Sequence, residues 1–400
     1  MTNGDQMKIC LVTSHSYIDR SWVRQDIEIL KALGFEVMAL STPCDFPDPR
    51  FLIWLIKHLK SILNCHVIYE WFAFPPIVFI GKAFGKPTVL NAVGYEIAYY
   101  PEFSYGEPCS LFKRAIISLG LRNADYVIAI SRESAKWAYT WGARNVTIIY
   151  EGIDTGKFVY KSNRLQDRHM IVTVAYLGLM NIIRKGLITL LEAMKHVIAV
   201  LPDAKLIIVG EKMDGYQVLV EKATKLGVID AVDFKGLVDF EELLRIMHGS
   251  SVFVMPSLQE GFPTALCEAL SCGVPIITTN RPAMDEVFEN NVHALLVEAK
   301  NSQKLAEAIT VILTNRKLAE AIARNGRKLV ESKYSKNVRA KNLREYFLTL
   351  LKKEKKQGKH RGFNIVWLGA FGILSVIYPL AIMLKRSLQA IQLKAGRTRV

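Results

Sequence analysis

The chain has 400 residues and a formal charge of +15, from 52 Lys plus Arg against 37 Asp plus Glu. That length exceeds one ordinary domain and suits two. Half of the residues are apolar and only 22% are charged, which excludes a globally disordered chain.

In chain order, KICLVTS (8–14) is an apolar, β-branched run, and SWVRQDIEILKALG repeats apolar residues at helical spacing before FEVMALS resumes strand character. Strand, helix and strand closed by a glycine predict the opening unit of a doubly wound parallel sheet. HVIYEWF (66–72), PTVLNAVG (87–94), ADYVIAIS (124–131) and NVTIIYEG (145–152) extend the series. A second series begins near residue 170 with MIVTVAYLG and continues through AKLIIVGE, AVDFKG, SVFVMPS and VPIITT, with helical stretches between. The expectation is an α/β protein of two Rossmann-like domains, 1–160 and 161–350, followed by a basic tail at 351–400. The join falls around 153–169, and helical residues 301–353 close the second domain and could return to the first. Two such domains enclose a cleft at the carboxyl ends of their strands, where ligands bind in open α/β folds.

The six cysteines, at positions 10, 44, 65, 109, 267 and 272, form no C-x-x-C pair and have no histidine at zinc-ligand spacing. Neither a disulfide scaffold nor a structural zinc site is expected, and a reducing cytoplasm is the simplest compartment. The positive charge is also uneven. Residues 1–160 carry a net +1, residues 161–350 a net +4, and the last fifty a net +10. A basic nucleic-acid-binding globule is thereby excluded.

Within that tail, the 22 residues 363–384 (FNIVWLGAFGILSVIYPLAIML) are almost wholly apolar and stand between basic flanks. As a helix they would extend about 33 Å, against a hydrocarbon core of about 30 Å. Membrane association through a C-terminal hydrophobic helix is expected, with the globular domains cytoplasmic. Basic residues on both sides leave three geometries open: a single span, a re-entrant or interfacial helix held by Gly369, Gly372 and Pro379, or a helix buried in a protein interface. No secretory signal is read at the start of the chain. RFLIWLIKHLKSIL (50–63), basic and strongly apolar, fits a helix on a bilayer or one packed on the first sheet.

The sharpest chemical feature is MPSLQEGFPTALCEALSCGVPIITT (255–279). A strand ends at Val254, a loop carries Glu260, Gly261, Phe262 and Pro263, and Thr264 is placed to cap the helix that follows. The first amides of that helix, on Thr264, Ala265 and Leu266, together with its dipole, suit a diphosphate. Glu260 and Glu268 beside such a site would face hydroxyl groups rather than phosphates, so a sugar is their natural partner. Ordinary solvated acids are the alternative. In GLMNIIRKG (178–186), Arg184 and Lys185 follow a strand and open a helix, where they could face the anion or stand solvated.

EGFPTALCE, the K-G pair at a helix start, AKLIIVG, DFKGLVDFEEL and SRESAKWAYTWGARNVTIIYEGIDTGKF together resemble the retaining nucleotide-sugar glycosyltransferases of family four, or group 1, over roughly residues 7–350. The resemblance implies the two-domain GT-B fold. It implies Glu260 against the transferred sugar, Glu268 on the ribose, and Arg184, Lys185 and the Gly261–Leu266 backbone around the diphosphate. Gly210, which closes AKLIIVG, falls among the donor-binding positions. Gly94 and Glu96 in NAVGYE match the first-domain H-G-x-D/E loop, with Val93 where the family has histidine. Leu179 and Met180 replace the usual R-L, and SHSYIDR (14–20) replaces the G-G phosphate loop, with His15 and Arg20 as substitutes.

The implied reaction is transfer from a nucleotide-sugar donor, with retention and without a metal or other cofactor, and the expected membrane anchor, with the apolar helix 50–63, suggests a lipid or lipid-linked acceptor. No D-x-D stands at a strand end, so the basic pair and the helix start are expected in the metal's place. A tethered pseudoenzyme, or a partner subunit of another transferase, is the competing reading. A dinucleotide-dependent oxidoreductase is disfavoured because no G-x-G-x-x-G follows a strand.

Overall fold

The computed structural model describes residues 6–43, 50–72, 75–103, 105–161, 169–356, 364 and 366–367. The first half contains β1 (Lys8–Ser14), α1 (Ser21–Ala32), β2 (Glu36–Thr42), α2 (Arg50–Asn64), β3 (Val67–Trp71), α3 (Pro75–Ala83), β4 (Thr88–Ala92), α4 (Leu111–Asn123), β5 (Tyr126–Ala129), α5 (Arg132–Thr140) and β6 (Val146–Ile148). The second contains β7 (Met170–Val174), α6 (Leu179–Arg184), α7 (Leu187–Val200), β8 (Lys205–Val209), α8 (Tyr216–Leu226), β9 (Val232–Gly236), α9 (Phe240–Gly249), β10 (Val252–Met255), α10 (Thr264–Ser271), β11 (Ile276–Thr279), α11 (Pro282–Val287), β12 (Leu295–Val297), α12 (Ser302–Thr314), α13 (Arg316–Leu329) and α14 (Lys336–Lys356).

Two parallel six-stranded sheets result, in the orders β2-β1-β3-β4-β5-β6 and β12-β11-β10-β7-β8-β9. Every residue of β3, β4, β10 and β11 is buried, as expected for strands covered by helices on both faces. The alternation expected from sequence is therefore present. Only the short strand β12 was not anticipated.

Strand order reverses between β1 and β3 in the first sheet and between β7 and β10 in the second. At such a switch point neighbouring loops diverge and leave a crevice. The loops after β7 and β10 carry Arg184, Lys185 and Glu260.

The return to the first domain that the sequence left open for residues 301–353 is made by α14, which packs on the first sheet. Leu343, Phe347 and Leu350, spaced for one helical face, are buried in the same cluster as Leu11, Tyr69 and Trp71. Arg339, at its start, is buried against Asp26 of α1, with Nε at 2.6 Å from Oδ1 and Nη2 at 2.8 Å from Oδ2. One helix thus spans both halves.

Among the described residues, no helix is long and apolar enough to cross a membrane. The expected helix 363–384 lies outside the described residues apart from Asn364, Val366 and Trp367. Asn364 and Trp367 contact the first domain. The Asn364 amide donates to the Ala83 carbonyl at 2.8 Å, and Trp367 stacks on Phe79 at 5.5 Å. Helix α2 buries Phe51, Trp54, Leu55 and Ile62 against the sheet and leaves Ile53 and Ile56 at 69% and 67% exposure.

Candidate active site

Helix α6 begins after β7, and its C-terminal end presents Arg184 and Lys185 to the loop after β10. Gly186, at φ +67°, makes the turn into α7. A Cβ there would lie 2.2 Å from the Pro256 carbonyl oxygen, so only glycine lets the two loops approach this closely. The Leu258 amide donates to the Arg184 carbonyl at 2.7 Å and fixes the register.

Between these loops the charges close on one another. Arg184 Nη1 stands 3.0 Å from Glu260 Oε2, and Lys185 Nζ stands 2.8 Å from Glu260 Oε1. The Ser257 hydroxyl donates to Glu260 Oε1 at 2.7 Å, Arg184 also donates to the Gln259 carbonyl, and the Tyr105 ring lies 5.2 Å from its guanidinium. All three charged side chains are about nine-tenths buried. Burial alone would push the Glu260 carboxyl up, but Arg184 and Lys185, with hydrogen bonds from Lys185 and Ser257, outweigh it and hold the group at about 2. Burial pulls Lys185 below its ordinary value, with Glu260 opposing. For Arg184 burial acts the same way, yet Glu260 and Tyr105 prevail and raise it.

The sequence expectation had Arg184 and Lys185 toward an anion and Glu260 toward a sugar. In the structure they meet each other. Each cation keeps unspent capacity: the buried Arg184 Nε has no partner among the described residues, and one Lys185 contact is to the Met255 sulfur at 3.2 Å.

The loop 260–263 then enters α10. Thr264 does not cap this helix. Pro263 occupies the cap position without a side-chain bond, and the Thr264 amide turns back to the Phe262 carbonyl at 2.9 Å. The reason is local, since the proline fixes the preceding turn. The first helical bond runs from the Cys267 amide to the Pro263 carbonyl, so the amides of Ala265 and Leu266 precede it and point out of the helix start. Glu268, one turn into α10, has its carboxyl pushed up to about 7 by burial, with Lys185 opposing. Gly210 ends β8 at φ +147°, where a Cβ would strike the Ala175 carbonyl oxygen at 1.8 Å. Its place at the carboxyl edge is explained by that backbone crossing.

From the first domain, Gly94 (φ +151°) meets the same loop. A Cβ on Gly94 would lie 3.3 Å from the Gly261 Cα, and one on Gly261 would lie 2.3 Å from the Val93 carbonyl oxygen. Two glycines allow the domains to touch through backbone. The Glu96 carboxylate accepts hydrogen bonds from the amides of Val93 and Gly94 and shapes its own loop. His15 is exposed on the loop after β1. Arg20 reaches the second domain, donating to the Tyr176 hydroxyl at 3.1 Å.

Four participants were not read from sequence: Ser257, Tyr105, Tyr176 and Glu286. Ser257 stands three residues before Glu260, a spacing that could have flagged it. The Glu286 carboxylate accepts the Arg132 amide with both oxygens at 2.9 Å and the Tyr150 hydroxyl at 2.7 Å, so α11 grips the start of α5. No local pattern announces a contact between residues 154 positions apart.

Residues 161–329 match the family described as glycosyl transferases group 1. Residues 161–329 thus form a group 1 glycosyltransferase domain. Among curated relatives, the capsular polysaccharide biosynthesis glycosyltransferase CapM of Staphylococcus aureus is 27% identical over 251 residues, covering 59% of this chain and 61% of CapM. The GDP-mannose-dependent alpha-(1-6)-phosphatidylinositol monomannoside mannosyltransferase of Mycobacterium tuberculosis is 28% identical over 229 residues, covering 53% of this chain and 58% of that protein. The chain thus spans about three fifths of the length of these relatives. A sucrose-phosphate synthase structure from Thermosynechococcus elongatus superimposes with a TM-score of 0.75 at 19% identity, covering 87% of this chain and all of that one. At that identity the likeness establishes the shared two-domain fold. The glycosyltransferase match ends before α14, which therefore lies beyond it.

Proposed function

We propose that this protein transfers a sugar from a nucleotide-sugar donor, with retention and without a metal ion, to a lipid or lipid-linked acceptor. The observation that carries the reading is the cluster of Arg184, Lys185 and Glu260 at the switch point, beside the start of α10. A donor diphosphate entering there meets two buried cations and the outward amides of Ala265 and Leu266. It exchanges one anionic partner, Glu260, for another. The carboxylate so released is free to accept hydroxyls of the transferred sugar, while Glu268 lies one turn further along α10 for the ribose.

In the transfer, the bond from the anomeric carbon to the diphosphate oxygen breaks and a bond to the acceptor oxygen forms. The acceptor hydroxyl's proton passes to the departing phosphate. Negative charge grows on the diphosphate, and the preorganised cations and helix dipole stabilise it in the role a metal ion has elsewhere. In this reading attack comes from the leaving group's own face, so configuration is retained. The name of the mycobacterial relative, with a nucleotide-sugar donor and a phosphatidylinositol-based acceptor, supports the donor and acceptor classes.

Helix α2 supports a lipid-facing side. Its outer face presents Ile53, Ile56 and Leu63 with Lys57 and Lys60, all exposed. Membrane attachment through 363–384, with the globular domains cytoplasmic, belongs to the same proposal. The test is transfer and donor hydrolysis by purified full-length protein with a panel of nucleotide sugars and lipid extracts. Lys185→Ala and Glu260→Gln should each lower turnover by about 100-fold or more while thermal melting confirms a folded chain. Near-normal turnover by both variants overturns the assignment, and a wild type inert toward every donor favours the partner-subunit reading.

A further inference from the structure

A cavity between the two domains reaches Glu260 without including the basic pair in its lining. It holds about 220 Å³ and is walled by Tyr100 and Trp137 from the first domain and by Gln259, Arg281 and Lys300 from the second. Glu260 lines its inner end, whereas Arg184, Lys185 and Glu268 do not line it. The cavity adjoins the expected donor sugar and is separate from the expected diphosphate.

Its chemistry is uneven. Lys136, Arg281 and Lys300 stand exposed at its edge, and none forms an ion pair among the described residues. Three carboxylates also line it, but two are engaged. Glu260 is held by Arg184 and Lys185, and Glu133 accepts the Tyr100 hydroxyl at 2.6 Å. That leaves Glu102 against three uncommitted cations. Tyr100 and Trp137 pack edge to face at 5.5 Å, with the indole N–H donating to the Tyr100 hydroxyl, which makes a rigid aromatic wall of the kind that stacks on sugar rings. Gln259 is 5% exposed. Its amide nitrogen donates to the Glu260 carbonyl, and its Oε1 is buried without a partner among the described residues. A hydroxyl donor reaching the inner end would satisfy that oxygen.

We infer that this cavity seats the acceptor, and that the acceptor is a sugar bearing a phosphate, with the ring on Tyr100 and Trp137 and the phosphate against Arg281 and Lys300. The inference rests on the glycosyltransferase reading of the site and gives the acceptor as an anionic saccharide, whether or not a lipid carries it. The phosphate can belong to a lipid-linked sugar or to a soluble sugar phosphate, and the same chemistry recognises both.

Full-length protein saturated with UDP or GDP, so that the diphosphate site is filled, is titrated with glucose 1-phosphate, farnesyl-diphosphate-linked glucose and neutral methyl glucoside. The same titrations are run on the double variant Arg281→Gln, Lys300→Asn. Asparagine is chosen because Lys300 has φ +64°, a backbone conformation it tolerates. Phosphorylated probes should bind about tenfold or more tighter than the neutral one, and the double variant should erase that preference. Nucleotide binding should remain intact in the double variant and be lost in Lys185→Ala. Tighter binding of the farnesyl probe assigns the phosphate to a lipid, and equal binding assigns it to a soluble sugar phosphate. The inference is overturned if neither phosphorylated probe binds, if the neutral probe binds equally well, if the double variant keeps the preference, or if nucleotide displaces the probes. Failure of the underlying reading shows separately, as no nucleotide binding by the wild type.

Discussion

Two buried arginine–carboxylate pairs make the most informative comparison in this molecule. Arg339 and Asp26 join α14 to α1, and every nitrogen of that guanidinium is engaged: Nε and Nη2 by Asp26, Nη1 by the carbonyls of Ile149 and Tyr150. The Tyr69 hydroxyl completes Asp26 at 2.7 Å. Arg184 and Glu260 are almost as deeply placed, yet Arg184 Nε has no partner among the described residues and a second cation crowds the same carboxylate. The first pair is saturated and closed to solvent. The second carries a surplus of positive charge at the mouth of a cleft. Saturation marks a structural clamp, and surplus marks a place where a ligand completes the set.

That contrast can be broken at several points. Asp26→Ala should have the largest effect, costing about 3–5 kcal/mol because Arg339 stays buried without its bidentate partner. Denaturant unfolding checks it, and a loss below about 1 kcal/mol would mean that α14 is held by its apolar face alone. Glu260→Gln should do the reverse. Stability falls by about 1–2 kcal/mol, since the amide still accepts from Ser257, while turnover falls by the larger factor proposed above. Unfolding curves and transfer assays on the same two variants separate clamp from site.

Gly261→Ala tests the backbone contact between the domains. Its new Cβ would meet the Val93 carbonyl oxygen at 2.3 Å, so the loops must part. An effect of about tenfold on kcat/KM with little change in unfolding is expected, and an unchanged kcat/KM would show that the close approach is dispensable.

A pH series sharpens the difference between the acids. The part-buried Glu268 and the buried Glu151 carboxyls are both pushed up to about 7, in each case chiefly by burial, from an ordinary value of 4.5. Raised carboxyl values favour the folded state when protonated. Their contribution is complete below about 4.5 and is lost as pH rises through 7. Glu260, held at about 2, contributes in the opposite sense, above 4.5 and lost only as pH falls toward 2. Glu268→Gln should therefore flatten the decline in melting temperature between about pH 5 and 8, whereas Glu260→Gln leaves that slope in place. An identical slope in wild type and Glu268→Gln would disprove the assignment. The smallest effect is expected from Arg20→Ala, about twofold on kcat/KM, because its bond to the Tyr176 hydroxyl is exposed.

Much of the fold was legible because its signals are local. Strands such as VFVM and IITT are continuous apolar or β-branched runs bounded by turn residues, and the helices between them carry apolar residues at helical spacing. The paired glutamates and the basic pair stood out as unusual residues at strand ends. What the sequence concealed was contact between distant residues. Nothing near Glu286 announces that it accepts the Arg132 amide, and nothing near Tyr105 announces its place over Arg184. Thr264 misled because a threonine before an apolar helix is a standard cap signal, and the preceding proline overrode it.

By itself, the sequence determined two α/β domains, the loops that bear the site and the concentration of positive charge beyond residue 350, since each depends on periodicity, composition or a short motif. Tertiary structure alone decided that Glu260 sits between Arg184 and Lys185, that Glu96 closes on its own loop, that α14 returns to the first sheet through Arg339, and that a cation-rimmed aromatic cavity opens beside the paired acid. Apart from the local Glu96 turn, each of these is a contact across tens to hundreds of residues, set by which strands lie next to each other and by how closely two glycines let the loops approach.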